Sequence, residues 1–206
     1  MLAPIIIACY IVGSFPTGYL AGRILKGIDV RAFGSGNAGA TNVFRVLGAF
    51  PGVLVLLVDM AKGYVCVSHI APLAAGYFGS SFDGLTLSIV AGLAAIAGHN
   101  WSVFLRFRGG KGVATSAGVL IAISPVPVGL AVLVWLVVVL VSRYVSLGSI
   151  IAAISLPVFM AIRGRGPLAI GFGTVIAILV IIRHRGNIVR LLRHEENRIG
   201  KRSTNT

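Results

Sequence analysis

The chain has 206 residues, of which 57% are hydrophobic and 11% charged, with a mean hydropathy of +0.97 and a formal net charge of +13. A water-soluble domain of this length cannot hide so much apolar side chain, so the composition excludes a soluble globular protein and predicts one membrane-embedded domain over residues 1–206. The positive excess fits membrane loops better than nucleic-acid binding, which is set aside in favour of anionic lipid or phosphorylated substrates as partners.

The first apolar segment, 2–24, holds Cys9 after Ile6-Ile7-Ala8, a faint lipoprotein-like box with no basic residue before it. The segment is therefore read as a membrane span. Loop 25–51 follows and carries Phe33-Gly34-Ser35-Gly36-Asn37-Ala38-Gly39-Ala40-Thr41-Asn42-Val43-Phe44-Arg45. Ser35, Asn37, Thr41 and Asn42 offer uncharged hydrogen-bonding groups, and a short helix would bring the Arg45 fork back toward the turn, a mixture suited to a polyol phosphate. Taken alone, the loop is equally an ordinary glycine-rich connection.

The segment 52–78 contains Asp59 and Lys62 at i, i+3, read as a helix-stabilising pair near the membrane interface, and Cys66, which like Cys9 is expected to act as a small hydrophobe. Asp83 is placed in an outer turn before the segment 85–100. His69 reads as an interior histidine, whereas His99-Asn100 adjoins the next loop and is the better candidate for chemistry.

That loop runs Phe104-Leu105-Arg106-Phe107-Arg108-Gly109-Gly110-Lys111-Gly112-Val113-Ala114-Thr115. Three glycines in four positions let successive N–H groups turn toward one point, the concavity that binds anions, while Lys111, Arg106 and Arg108 add charge. It is not a nucleotide P-loop, because Gly112 stands where the magnesium-binding hydroxyl is required. In isolation a positive-inside membrane turn would look the same.

Apolar segments at 113–124, 126–142, 147–162 and 167–182 complete the chain, giving an all-α polytopic protein with seven transmembrane helices, some of them short. Ser124-Pro125-Val126-Pro127 either closes a helical hairpin or kinks one long helix. With a hairpin and a periplasmic N-terminus, Arg23, Lys26, Arg31, Arg45, Arg106, Arg108, Lys111, Arg143 and the tail from Arg183 to Arg202 share the cytoplasmic side, leaving Arg163 and Arg165 on the other. Positive-inside bias selects that arrangement and puts the C-terminus in the cytoplasm. The tail stretch Arg183 to Gly200 has Ile188, Leu191 and Leu192 at amphipathic spacing, as in an interfacial helix; residues 198–206 are expected to form a mobile tail.

Five scattered acidic residues, Asp29, Asp59, Asp83, Glu195 and Glu196, form no clustered carboxylate site, and no metal or other cofactor is expected. The fifth residues after the four histidines are Ala74, Phe104, Val189 and Ile199, so a His-x4-Asp base for acyl transfer is excluded.

Gly34-Ser35-Gly36-Asn37 with Gly39-Ala40-Thr41-Asn42, Gly98-His99 leading into the glycine turn, and Arg183-His184 to Glu196 together resemble the bacterial acyl-phosphate:glycerol-3-phosphate acyltransferases of the PlsY type, in order and spacing along nearly the whole chain. The resemblance implies a bacterial inner-membrane enzyme, active on the cytoplasmic side, that passes a fatty acyl group from acyl phosphate to the 1-hydroxyl of glycerol 3-phosphate without an acyl-enzyme. It implies glycerol 3-phosphate binding by Ser35, Arg45, Lys111, His184 and Asn187, of which Ser35, Lys111, His184 and Asn187 are the catalytic candidates. Acyl-phosphate binding falls to Asn37, Thr41, Gly109, Gly110, Lys111, Gly112 and Ser149, with Glu196 ordering the tail. His194 departs from the small residue common in the family, which leaves Glu195 and Glu196 as alternatives for the family glutamate. A transporter of phosphate or a phosphorylated metabolite is the competing reading, though it should show paired repeats and charge at mid-membrane.

Overall fold

The computed structural model describes residues 2–79 and 81–199. Among these residues the secondary structure is entirely helical, with no strand, and the chain divides into two compact units, Met1–Ile123 and Ser124–Thr206.

The first unit contains α1 (Leu2–Ser14), α2 (Thr17–Lys26), α3 (Ala40–Leu47), α4 (Ala49–Val65), α5 (Ala71–Phe78), α6 (Gly84–Asn100) and α7 (Val113–Ile123), with a π-helical turn at Cys66–Ile70 and 3-10 turns at Val30–Ala32 and Val103–Leu105. Pro16, which lacks an N–H, separates α1 from α2. Asp83 precedes α6 and caps it: its Oδ1 accepts from the N–H groups of Leu85 and Thr86, each at 3.0 Å.

Two antiparallel pairings hold this unit, α1 on α6 and α4 on α7. Both depend on glycine. A Cβ on Gly13 would strike the Ala95 carbonyl, one on Gly98 the Tyr10 carbonyl, one on Gly63 the Thr115 carbonyl and one on Gly118 the Met60 carbonyl. In lipid the apolar environment gives helices no hydrophobic reason to associate, so this backbone-to-backbone approach supplies the dispersion contacts that do. Cys9 and Cys66 are free and buried in the α1/α6 core, each sulfur 3.8 Å from the other's carbonyl oxygen.

The second unit contains α8 (Pro125–Ser142), α9 (Val145–Ile162), α10 (Pro167–Arg183) and α11 (Arg185–Leu192), with α8 and α10 packed against α9. Prolines open α8 and α10 at the position where a missing N–H costs nothing. Arg165 Nε donates to the fully buried Ser124 Oγ at 2.8 Å.

All seven apolar segments are helical. Among the described residues five helices are long and apolar enough to cross a membrane, Leu2–Lys26, Ala49–Phe78, Gly84–Leu105, Pro125–Ser142 and Val145–Ile162, or six if α10 and α11, bent by 59°, count as one. The difference from seven lies in α7, which has only 11 residues because the glycine turn takes up the chain before it. A helix break does fall at Ser124. The expected mobile tail, 198–206, starts with two residues that are held: Arg198 Nε donates to Tyr144 Oη at 2.9 Å and the Ile199 N–H to the Arg143 carbonyl at 2.9 Å. Residues 200–206 lie outside the described residues.

Candidate active site

The first loop is organised by one side chain. Asn42 is 1% exposed and uses every hydrogen-bonding position it has. Its Oδ1 accepts from the Ser35 N–H at 2.7 Å and the Ser35 hydroxyl at 3.2 Å, while its Nδ2 donates to the carbonyls of Val30 and Asn37 at 2.8 Å and of Phe33 at 3.1 Å. The turn can wrap this amide because Gly34 and Gly36 take φ of 60° and 68°, the left-handed region open to glycine. Asn37, expected to touch a ligand, here accepts the Gly39 N–H through Oδ1 at 2.8 Å and so shapes the entry to α3. Thr41 is exposed on the first turn of α3, with the half-buried Arg45 one turn further on. Behind the loop, Arg31 grips Asp29 at 2.8 Å and holds that carboxyl below its ordinary range.

The glycine turn lies on the end of α6. The Gly110 N–H donates to the His99 carbonyl at 3.0 Å. A Cβ on Gly110 would meet the His99 imidazole Nε2, and one on Gly109 the His99 carbonyl. Gly112, at φ 80°, leaves 2.6 Å between such a Cβ and Asn100 Oδ1. Only glycine fits these three positions. The Gly112 carbonyl accepts the Ser116 N–H at 2.7 Å, starting α7 directly from the turn.

Both loops border one cleft, whose wall includes Ala38 of the first and Gly109 and Gly110 of the second. Its floor is polar: Thr17 of α2, Asp59 and Lys62 of α4 and His99 of α6. Asp59 Oδ1 accepts from Thr17 Oγ1 at 3.1 Å, pairs with Lys62 Nζ at 2.8 Å and lies 3.7 Å from His99 Nδ1; Lys62 Nζ also donates to the Phe15 carbonyl at 3.3 Å. The Asp59–Lys62 pair is thus 2% and 6% exposed and buried beneath the turn, not a stabilising pair at the membrane surface. Its sequence signal was the presence of two opposite charges in an apolar run, where ionised groups are costly and commonly functional.

In the second unit, Glu196 is the centre. Its Oε1 accepts from Asn187 Nδ2 at 2.8 Å and Ser146 Oγ at 3.0 Å, and its Oε2 from Arg190 Nε at 2.9 Å. Glu195 is exposed. His194, at φ 60°, makes the reversal that turns Glu196 inward, and the Glu195 N–H closes it on the Arg190 carbonyl at 2.8 Å. His184 is 3% exposed at the α10/α11 bend, its Nδ1 donating to the Val180 carbonyl at 2.8 Å, which leaves Nε2 as the acceptor nitrogen. Ser149 is buried, its hydroxyl donating to the Val145 carbonyl at 2.9 Å and accepting from Trp135 Nε1 at 3.3 Å.

Of the predicted site residues, Ser35, Asn37, Thr41, Arg45, Lys111 and Gly109 to Gly112 belong to the first unit and His184, Asn187, Ser149 and Glu196 to the second, and the lining of the cleft includes Gly109 and Gly110. Motif reading offered Asn42 as a hydrogen-bonding group, His99 as a candidate for chemistry and Asp59–Lys62 as a helix-stabilising pair; it gave no sign that Asn42 organises its own loop or that Asp59, Lys62 and His99 meet in one floor.

Among the described residues, five long apolar helices and a polar cleft beside a glycine turn define an integral membrane protein with a polar site among its helices. A family model described as Glycerol-3-phosphate acyltransferase matches residues 3–194, and the chain belongs to that family. It is 44% identical over 201 residues to a glycerol-3-phosphate acyltransferase of Desulforamulus reducens, covering 97% of this chain and 96% of the relative. It is 48% identical over 198 residues to glycerol-3-phosphate acyltransferase 2 of Moorella thermoacetica, covering 96% and 97%. Among solved structures it is similar to PlsY (YgiH), an integral membrane glycerol 3-phosphate acyltransferase, at 43% identity over 96% of this chain and 95% of that one, with TM-scores of 0.84 for the glycerol 3-phosphate form and 0.82 for the lysophosphatidic acid form. The chain is an enzyme of the acyltransferase class.

Proposed function

We propose that this protein transfers a fatty acyl group from acyl phosphate to the 1-hydroxyl of sn-glycerol 3-phosphate, giving 1-acylglycerol 3-phosphate and inorganic phosphate, the first acylation of phospholipid synthesis. The observation that carries the reading is the family match over residues 3–194, with 43% identity to a solved glycerol 3-phosphate form. Family membership favours this over a transporter.

Acyl phosphate is a mixed anhydride with a good leaving group, so the protein's task is to hold two mutually repelling phosphates in reacting contact. The hydroxyl oxygen attacks the acyl carbonyl carbon, the bond from that carbon to the phosphate oxygen breaks, and the hydroxyl proton passes to a substrate phosphate oxygen, with His184 and His99 as the alternative acceptors on the protein. No acyl-enzyme forms and no cofactor takes part. Ser35, Arg45, Lys111, His184 and Asn187 serve glycerol 3-phosphate. Asn37, Thr41, Gly109, Gly110, Lys111, Gly112 and Ser149 serve the donor, and Glu196 orders the tail. The whole chain acts as one acyltransferase domain of seven spans in a bacterial inner membrane, with a periplasmic N-terminus and a cytoplasmic C-terminus; it draws its donor from the bilayer and glycerol 3-phosphate from the cytoplasm.

Purified protein incubated with synthetic acyl phosphate and glycerol 3-phosphate, without CoA or acyl carrier protein, should release lysophosphatidic acid and phosphate in equal amounts. Product that forms only when acyl-CoA or acyl carrier protein is the donor would overturn the donor assignment.

A further inference from the structure

The geometry points to a role for the buried Asp59–Lys62 pair that the reaction does not itself require: through His99, it fixes the shape of the glycine turn and so the site of the donor phosphate. Asp59, Lys62 and His99 are then positioning residues of the proposed reaction, and the inference rests on that assignment.

The floor is tied to the α1/α2 break on one side and meets the turn through His99 on the other. Asp59 takes Thr17 and Lys62 by hydrogen bond and ion pair, and Lys62 is tied back to the Phe15 carbonyl at the α1/α2 break. The carboxylate faces His99 Nδ1 at 3.7 Å. The other side of the same residue meets the turn: its carbonyl receives the Gly110 N–H, and its Nε2 lies where a Gly110 side chain would be. One carboxylate therefore borders a residue that touches the turn by both backbone and ring.

An ion pair buried only for stability would be an uneconomical choice, because desolvation of the two charges offsets much of their attraction and apolar residues of similar size serve as well. A pair used for placement is different. Its strength in a low-dielectric floor resists movement of His99, and the turn's N–H groups keep their aim only while His99 stays still. Placement errors of about 1 Å in such donors cost up to about a hundredfold in rate.

The test separates placement from stability. Removing one partner, as in Asp59→Ala, strands a buried ammonium and should lower thermal stability. The double variant Asp59→Ala/Lys62→Ala removes both charges and should recover part of the stability that Asp59→Ala loses while still lacking the hold on His99. Its KM for acyl phosphate should rise about tenfold, with the KM for glycerol 3-phosphate changed less than about twofold. Asp59→Ala/Lys62→Ala/His99→Ala should then be no worse in donor KM than His99→Ala alone. Hydrogen–deuterium exchange of the full-length double variant should show faster exchange confined to the segment 105–112. A stable double variant with wild-type donor KM and wild-type exchange at 105–112 overturns the inference. Wild-type protein inert toward acyl phosphate would instead overturn the donor assignment, and the exchange measurement would still report whether the pair holds the turn.

Discussion

Asn42 and Glu196 show how a single buried polar group can organise a loop. Asn42 takes part in five bonds at once, so Asn42→Ala strands the Ser35 N–H and the Asn37 carbonyl and leaves the Val30 and Phe33 carbonyls only their backbone donors, Phe33 and Gly36. We expect a loss of about 1–3 kcal/mol of stability, read by thermal unfolding in detergent, and at least a tenfold rise in KM for glycerol 3-phosphate from displacement of Ser35. Asn42→Asp should not rescue it, since a carboxylate cannot donate to the carbonyls of Val30, Phe33 and Asn37. In the tail the decisive contrast is between neighbours. Glu196→Ala removes the acceptor of Asn187, Ser146 and Arg190 and should lower activity by about tenfold or more, whereas Glu195→Ala, at an exposed position, should stay within about twofold. Equal effects at the two positions would remove Glu196 from the ordering role.

Among the helices the controlling feature is how near two backbones can come. Gly118 of α7 faces the Met60 carbonyl, so Gly118→Ala forces α4 and α7 apart and should cost about 1–3 kcal/mol. Gly171 on α10 has open space around it, and Gly171→Ala should change stability by about 0.5 kcal/mol or less. Melting temperatures of the two variants in the same detergent provide the comparison. A tolerated Gly118→Ala would show that the α4/α7 pairing is not set by small-residue contact.

For the whole molecule, the seven apolar segments were legible because apolar run length is a direct statement about the solvent, and helix ends fell within a few residues where Asp83, Pro125 and Pro167 mark them, whereas the break at Pro16 fell inside a segment read as one span, 2–24. The short helix bearing Arg45 and the tail helix were also readable, from spacing alone. The Asp59–His99 approach was not, since 40 residues and a helix pairing lie between them, and no local pattern encodes that meeting. Nor could one sequence separate Glu195 from Glu196, because the choice depends on a backbone reversal at His194 that few non-glycine residues adopt. The proposed topology is checked by cysteine labelling, for which Cys9 and Cys66 are both buried and give a low background. Arg163→Cys should react with an impermeant maleimide in intact cells, and Arg193→Cys only after the membrane is opened. Labelling of residue 193 from outside would reverse the assigned orientation.

The brevity of α7 has a consequence for how a greasy donor is met. Eleven residues rise only about 16 Å, roughly half the hydrocarbon thickness of a bilayer. A helix of that length cannot cross alone, so if Ile123 reaches one boundary of the hydrocarbon, the glycines before Val113 stop short of the other or the membrane thins toward them. A molecule with a long tail and a charged end would then have no need to climb into water: its phosphate could be taken up at the depth where its chain already rests.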